Sequence, residues 1–171
     1  MKKTAKRIVA MILMLLLAMS VMACGKKESG DENETKGTQK GFAIQIDGVT
    51  IRLGEQAEKT LTALRTPLSQ NELFDCGAGN SRMLYRYASF DLYTMKSGET
   101  EVIDQIEVKD DFCETEKGIC IGAEESAVVA AYGEATRKGE GSLTYVSGNQ
   151  ELTFDVENGQ VVGIGLLRVT Q

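Results

Sequence analysis

The 171-residue chain has no histidine, no tryptophan and a single proline, Pro67. Without histidine there can be no Ser-His-Asp or Cys-His relay, and the usual zinc ligand set loses its nitrogen donor. Carboxylate-pair catalysis remains open in principle. However, the 25 acidic residues are scattered and single out no pair. The expectation is therefore a protein that is not an enzyme, with no cofactor and no metal. The runs Asp31-Glu32-Asn33-Glu34 and Lys109-Asp110-Asp111 lack the spacing of a calcium loop and read as solvated charge. Gly77-Ala78-Gly79 has no strand before it, no helix after it and no lysine beside it, so it reads as a loop rather than a phosphate cradle.

The most informative feature that is present lies at the start. Lys2, Lys3, Lys6 and Arg7 precede an apolar run from Ile8 to Ala23 that ends at Cys24. The run falls short of the ~20 residues of a comfortable membrane span, and its basic flank is that of an export signal. Val21-Met22-Ala23-Cys24 resembles the lipobox of bacterial lipoproteins, which implies cleavage before Cys24 and a lipid on its thiol. Residues 1–23 are read as a signal peptide and 24–41 as the lipidated cysteine plus a tether. That tether has four glycines, mixed charges and no large apolar residue, so it cannot bury enough surface to fold. The expected location is the cell membrane, lipid-anchored on the extracytoplasmic face.

The leader holds four of the 19 basic residues and no acid, which leaves 15 against 25 acids and a net charge of −10. Such an acidic chain argues against nucleic acid as a partner. The remaining stretch, 42–171, is long enough for one domain or two small lobes sharing a core. Phe42–Ile46 and Val49–Leu53 alternate around Asp47-Gly48, the strongest short hairpin signal. Ala57, Leu61 and Leu64 mark a short helix that Pro67 stops. Residues 69–82 read as polar and irregular. Met83–Tyr87, Ser89–Met95 and Val102–Val108 then read as strands. After Gly118–Gly122 a second short helix spans Glu124–Tyr132, and Leu143–Val146, Leu152–Val156 and Val161–Val169 read as strands, the last entered through Asn158-Gly159.

The pattern recurs. Ile51-Arg52-Leu53-Gly54 aligns with Ile119-Cys120-Ile121-Gly122, and the helix and strands follow in the same order. This predicts an α+β fold of two tandem repeats, about 42–111 and 112–171. Each is a short helix plus an antiparallel meander, and together they form a continuous sheet with helices on one face. Ile119-Cys120-Ile121-Gly122, Val128, Tyr132-Gly133-Glu134, Tyr145, Leu152, Phe154 and Asn158-Gly159 resemble the repeat of BLIP-like and BamE-like domains, including uncharacterised Gram-positive lipoproteins. The resemblance implies a non-catalytic protein-binding or scaffolding module whose partner is another envelope or secreted protein. An inhibitor of a secreted hydrolase, using a loop at Leu68–Ser81, and a small-ligand surface receptor are the alternatives.

Tyr85, Tyr87 and Tyr145 are the candidate binding surface if their sheet face points away from the helices; otherwise they pack beneath them. Besides Cys24 there are Cys76, Cys113 and Cys120. Cys113 with Cys120 is the expected disulfide, ahead of a bridge from Cys76 to either and of three free thiols.

Overall fold

The computed structural model describes residues 41–74 and 81–169. The Asp47-Gly48 hairpin forms as expected. Strands β1 (Ala43–Ile46) and β2 (Val49–Arg52) pair in antiparallel register, with Asp47 at φ 49° and Gly48 at φ 80° in the turn. The first helix, α1, is Ala57–Ala63 and ends before Pro67, which cannot donate within a helix. The second, α2, is Glu125–Tyr132 and stops at Gly133, whose φ of 80° suits a residue without a Cβ.

The remaining strands are β3 (Ser69–Phe74), β4 (Ser81–Arg86), β5 (Phe90–Ser97), β6 (Thr100–Val108), β7 (Cys113–Thr115), β8 (Arg137–Gly139), β9 (Ser142–Ser147), β10 (Gln150–Glu157) and β11 (Gln160–Arg168). Eight of them make one antiparallel sheet in the order β3-β4-β5-β6-β11-β10-β9-β8, and β2-β1-β7 make a second sheet. Residues 69–74, expected to be irregular, are strand.

The expected α+β class is overturned. Among the described residues strand accounts for 55% and helix for 12%, in two helices, so this part is mostly antiparallel β-sheet. The reason lies in what covers the large sheet. Helices of 7 and 8 residues are too short to form a layer over eight strands. The small sheet contributes to the shared core through Ile44, Ile46, Ile51 and Cys113, alongside Ala57 from α1 and Val128 from α2. Repeats that each carry their own helical cover are not what the chain builds. Instead β7, which follows the boundary placed at residue 111, pairs with β1.

Register decides which side chains face inward. Tyr85, Leu92, Ile106, Leu166, Leu152 and Tyr145 lie opposite one another across six strands and are all buried. A parallel row of Phe90, Val108, Ile164, Phe154 and Leu143 is buried beside it. The opposite face is polar, with Asp91, Glu107, Gly165, Thr153, Thr144 and Arg137 in one row. Among the described residues no helix is long and apolar enough to cross a membrane.

Candidate functional site

The inward rows settle the tyrosines. Tyr85, Tyr87 and Tyr145 are only 8%, 7% and 5% exposed, so they form part of the core and not a recognition surface. The sequence could not decide this, because a two-residue period separates two faces without saying which is covered. The Tyr85 hydroxyl donates to Glu101 Oε1 at 3.0 Å, and the Tyr145 hydroxyl donates to the Gly133 carbonyl at 3.0 Å. Tyr87 stacks on Phe90 with ring centroids 4.3 Å apart, yet its buried hydroxyl has no partner among the described residues. A buried unmade hydrogen bond costs about 1–3 kcal/mol. Tyr87→Phe should therefore raise stability by about 1 kcal/mol, whereas Tyr85→Phe, which loses a bond to a carboxylate, should lower it by about 1–2 kcal/mol. Urea midpoints of the two variants check this, and equal shifts of one sign would refute it.

All five tyrosines are held above the ordinary phenol value of 10.0. Burial is the leading cause for each. For Tyr85 the hydrogen bond to Glu101 adds to it, and its value is pushed up to about 12. Burial, followed by the nearby Asp110 and Asp47 charges, pushes the Cys113 thiol from 9.0 up to about 12. Above their ordinary values the unfolded chain loses protons that the folded chain keeps, so unfolding becomes easier as pH rises. These six groups should leave stability unchanged below about pH 9 and lower it from there through about pH 12. Urea midpoints across that range, with phenolate absorbance at 295 nm, test it. Native tyrosines that titrate at the ordinary value without loss of structure would refute it.

Cys113 and Cys120 both carry free thiols in this structure. Cys113 is buried, and its Sγ donates to the Ser89 carbonyl at 3.7 Å. The expected bridge would have to turn that thiol away from Ser89. Cys24 and Cys76 lie outside the described residues. So do residues 75–80 of the loop considered for hydrolase inhibition.

The site worth attention lies where α1 gives way to β3. Leu64 N–H donates to the Thr60 carbonyl at 2.9 Å, ending the helix, and Leu68 N–H donates to the Arg86 carbonyl at 2.7 Å, starting the edge of the large sheet. The segment between them is held at both ends and flanked by two hollows. One, of about 390 Å³, is lined by Ile46, Leu64, Tyr87, Phe90, Leu68 and Phe112. The other, of about 450 Å³, is lined by Leu61, Leu64, Pro67, Gln70, Tyr85 and Tyr87. Leu64, Arg65, Thr66 and Tyr87 belong to both.

Leu68 and Phe112, at the rim of the first hollow, are 76% and 78% exposed, far more than any other large apolar residue described. Phe112 is presented by a local turn: its N–H donates to Asp110 Oδ1 at 3.0 Å. Arg65 and Asp47, also at this hollow, form an exposed ion pair at 3.3 Å. The sequence carries a signal at both positions, of which only Leu68, as the start of the Leu68–Ser81 loop, enters the sequence reading. Phe112 is a lone large apolar residue closing the charged run Lys109-Asp110-Asp111, and Leu68 follows the only proline.

The polar face of the sheet holds a third hollow, of about 390 Å³, with Glu107, Glu151, Thr153 and Asp155 around Gly163 and Gly165. No group of acidic or cysteine side chains among the described residues is arranged to hold a metal ion. Tyr93, on this face, lies under the Arg82 guanidinium at 4.7 Å and donates to Glu107 Oε2 at 3.2 Å. These contacts tie neighbouring strands together.

No family model, no curated protein and no solved structure matches the chain.

Proposed function

We propose that the chain is a non-catalytic binding module, held to the extracytoplasmic face of a membrane by a lipid on Cys24, and that it meets a partner protein at the Leu68–Phe112 rim. The observation that carries this reading is the pairing of the two most exposed large apolar side chains described with a single concavity. Large apolar groups left three-quarters in water beside a hollow mark an interaction site, and aromatic anchors dominate such interfaces. The absence of histidine leaves no Ser-His or Cys-His relay, which is compatible with a binding role. The lipobox-like Val21-Met22-Ala23-Cys24 supports the anchor, and the glycine-containing tether supports a folded part that stands off the bilayer.

A second reading has its own observation. Tyr85 and Tyr87 line a hollow large enough for a small molecule, which favours a surface receptor, although Tyr145 is not part of it.

A photo-crosslinking residue at position 112, in cells of the source organism, separates the two. One discrete envelope protein should be captured, and Leu68→Asp should cut the yield about tenfold with the circular dichroism spectrum unchanged, since an exposed substitution alters stability by only about 0.5 kcal/mol. The same residue at Val162, on the last strand, should capture nothing. Cys24→Ala should release the protein from the membrane fraction. No crosslink at position 112, together with thermal stabilisation by a small molecule, would overturn the protein-binding reading.

A further inference from the structure

The two ends of the eight-stranded sheet, β3 and β8, differ in what they present. An edge strand exposes a row of backbone donors and acceptors, and proteins usually blunt it with shortness or charge. β8 is blunted in both ways. It has three residues, of which Arg137 and Lys138 pair with Glu151 and Glu134. β3 has six residues, Ser69–Phe74, and a single charge, Glu72. It contains no proline, so every residue keeps its N–H. Its register with β4 runs unbroken from Ser69 opposite Arg86 to Phe74 opposite Ser81. Among the described residues no strand pairs with its other side.

A hollow lies beside this edge. Gln70 sits opposite Tyr85, and both line the 450 Å³ hollow whose other wall is Leu61 and Leu64 at the end of α1. A groove thus runs between α1 and β3, with a backbone row along one side and room for a side chain next to it.

Building on the binding-module reading, we propose that β3 receives an added strand: an extended segment of a partner polypeptide that seats an apolar side chain in the hollow beside Gln70. The chemistry of the edge selects this occupant. Its donors and acceptors recur with the spacing of a strand, and only another extended backbone matches them in series. Alternate side chains of the added strand fall on the face of Gln70 and Tyr85, over the hollow. The chain that remains after the leader carries a net charge of −10, with 15 basic against 25 acidic residues, so the segment is neutral or basic.

The probe is a displayed library of random dodecapeptides selected on the full-length chain in detergent. The best binder should carry an apolar residue whose replacement by alanine abolishes selection. Bound, it should slow amide exchange within Ser69–Phe74 by about tenfold or more. Methylating its backbone nitrogens at one parity should weaken binding about tenfold or more, whereas the other parity should change it by less than about twofold. Gln70→Trp, which fills the hollow from an exposed position, should weaken binding to a similar degree. A library that yields no binder, exchange at β3 that does not change, or equal sensitivity at both parities overturns the proposal. Protection of β3 that rises with the concentration of the chain alone identifies a second copy as the occupant and overturns it as well. If the crosslink at position 112 persists and depends on Leu68 while β3 exchange is unchanged, the module stands without strand addition. If the crosslink is lost as well, both readings fall.

Discussion

Phe154→Ala should lower the stability of the folded part by about 3–5 kcal/mol. Phe154 is fully buried on β10, directly between Ile164 on β11 and Leu143 on β9. Its ring lies 5.5 Å from that of Tyr132 and 6.0 Å from that of Tyr145, the latter edge-on at 82°. Truncation removes the apolar area and leaves a cavity in the core, and it also breaks two aromatic pairs worth about 0.5–1.5 kcal/mol each. The loss is a large share of the about 5–15 kcal/mol that a domain of this kind possesses. Phe154→Leu, which keeps most of the volume, should cost about 1–2 kcal/mol. Urea titrations followed by circular dichroism measure both. A loss below about 1 kcal/mol for the alanine variant would mean that the core is not organised around this ring.

Asp104→Ala is the second large expected loss, about 2–3 kcal/mol. Tyr93 on β5 lies opposite Gln105 on β6, but the next residue, Thr94, lies opposite Ile103, so Asp104 is the extra residue of a bulge. The bulge lets Ile103 and Ile106 both face the core and leaves Asp104, 5% exposed, between two guanidinium groups. One carboxylate oxygen lies 3.1 Å from Arg168 Nε on β11, and the other lies 3.6 Å from Arg82 Nη2 on β4. Removing the carboxylate leaves the two cations facing each other without their counter-charge. Arg82 Nε, already buried and without a partner among the described residues, then has still less compensation. Both arginines keep partial access to water, which places the cost at or just below the about 3–5 kcal/mol of a fully buried pair that loses one partner. A double-mutant cycle with Arg168→Ala should return a coupling of about 1 kcal/mol or more. Strict additivity of the two single losses would show that the pair does not act as a unit.

The parts of the fold that were legible in the sequence are those with local causes. Asp47-Gly48 and Asn158-Gly159 mark hairpins because the backbone at those residues has positive φ, which few residue types tolerate. Helix α1 could be read from the spacing of Ala57 and Leu61 and from Pro67, and α2 from its apolar spacing and Gly133. What escaped notice lacked such a cause. β3 is an edge strand exposed on both faces over most of its length, so Ser69-Gln70-Asn71-Glu72 shows no alternation. β7 and β8 are three residues each, too short for any period to register. The spacing of Ile103 and Ile106 hinted at the bulge, but only the paired register makes it visible.

The sequence by itself ruled out a histidine-based relay, through the missing histidine. It also placed the turns and marked Cys24 as the candidate anchor, because composition, local φ requirements and a contiguous apolar run need no distant partner to be read. Tertiary structure alone decided what covers the large sheet and, with it, the fate of the tyrosines. Burial of a sheet face depends on which distant segment lies over it. Here that segment includes the β2-β1-β7 sheet, joined through the pairing of Ile44, Gln45 and Ile46 with Thr115, Glu114 and Cys113. The site followed from the same long-range pairing. Leu68 and Phe112 are 44 positions apart in the chain and reach one rim only because β1, α1, β3 and β5 are brought together around Tyr87 and Phe90.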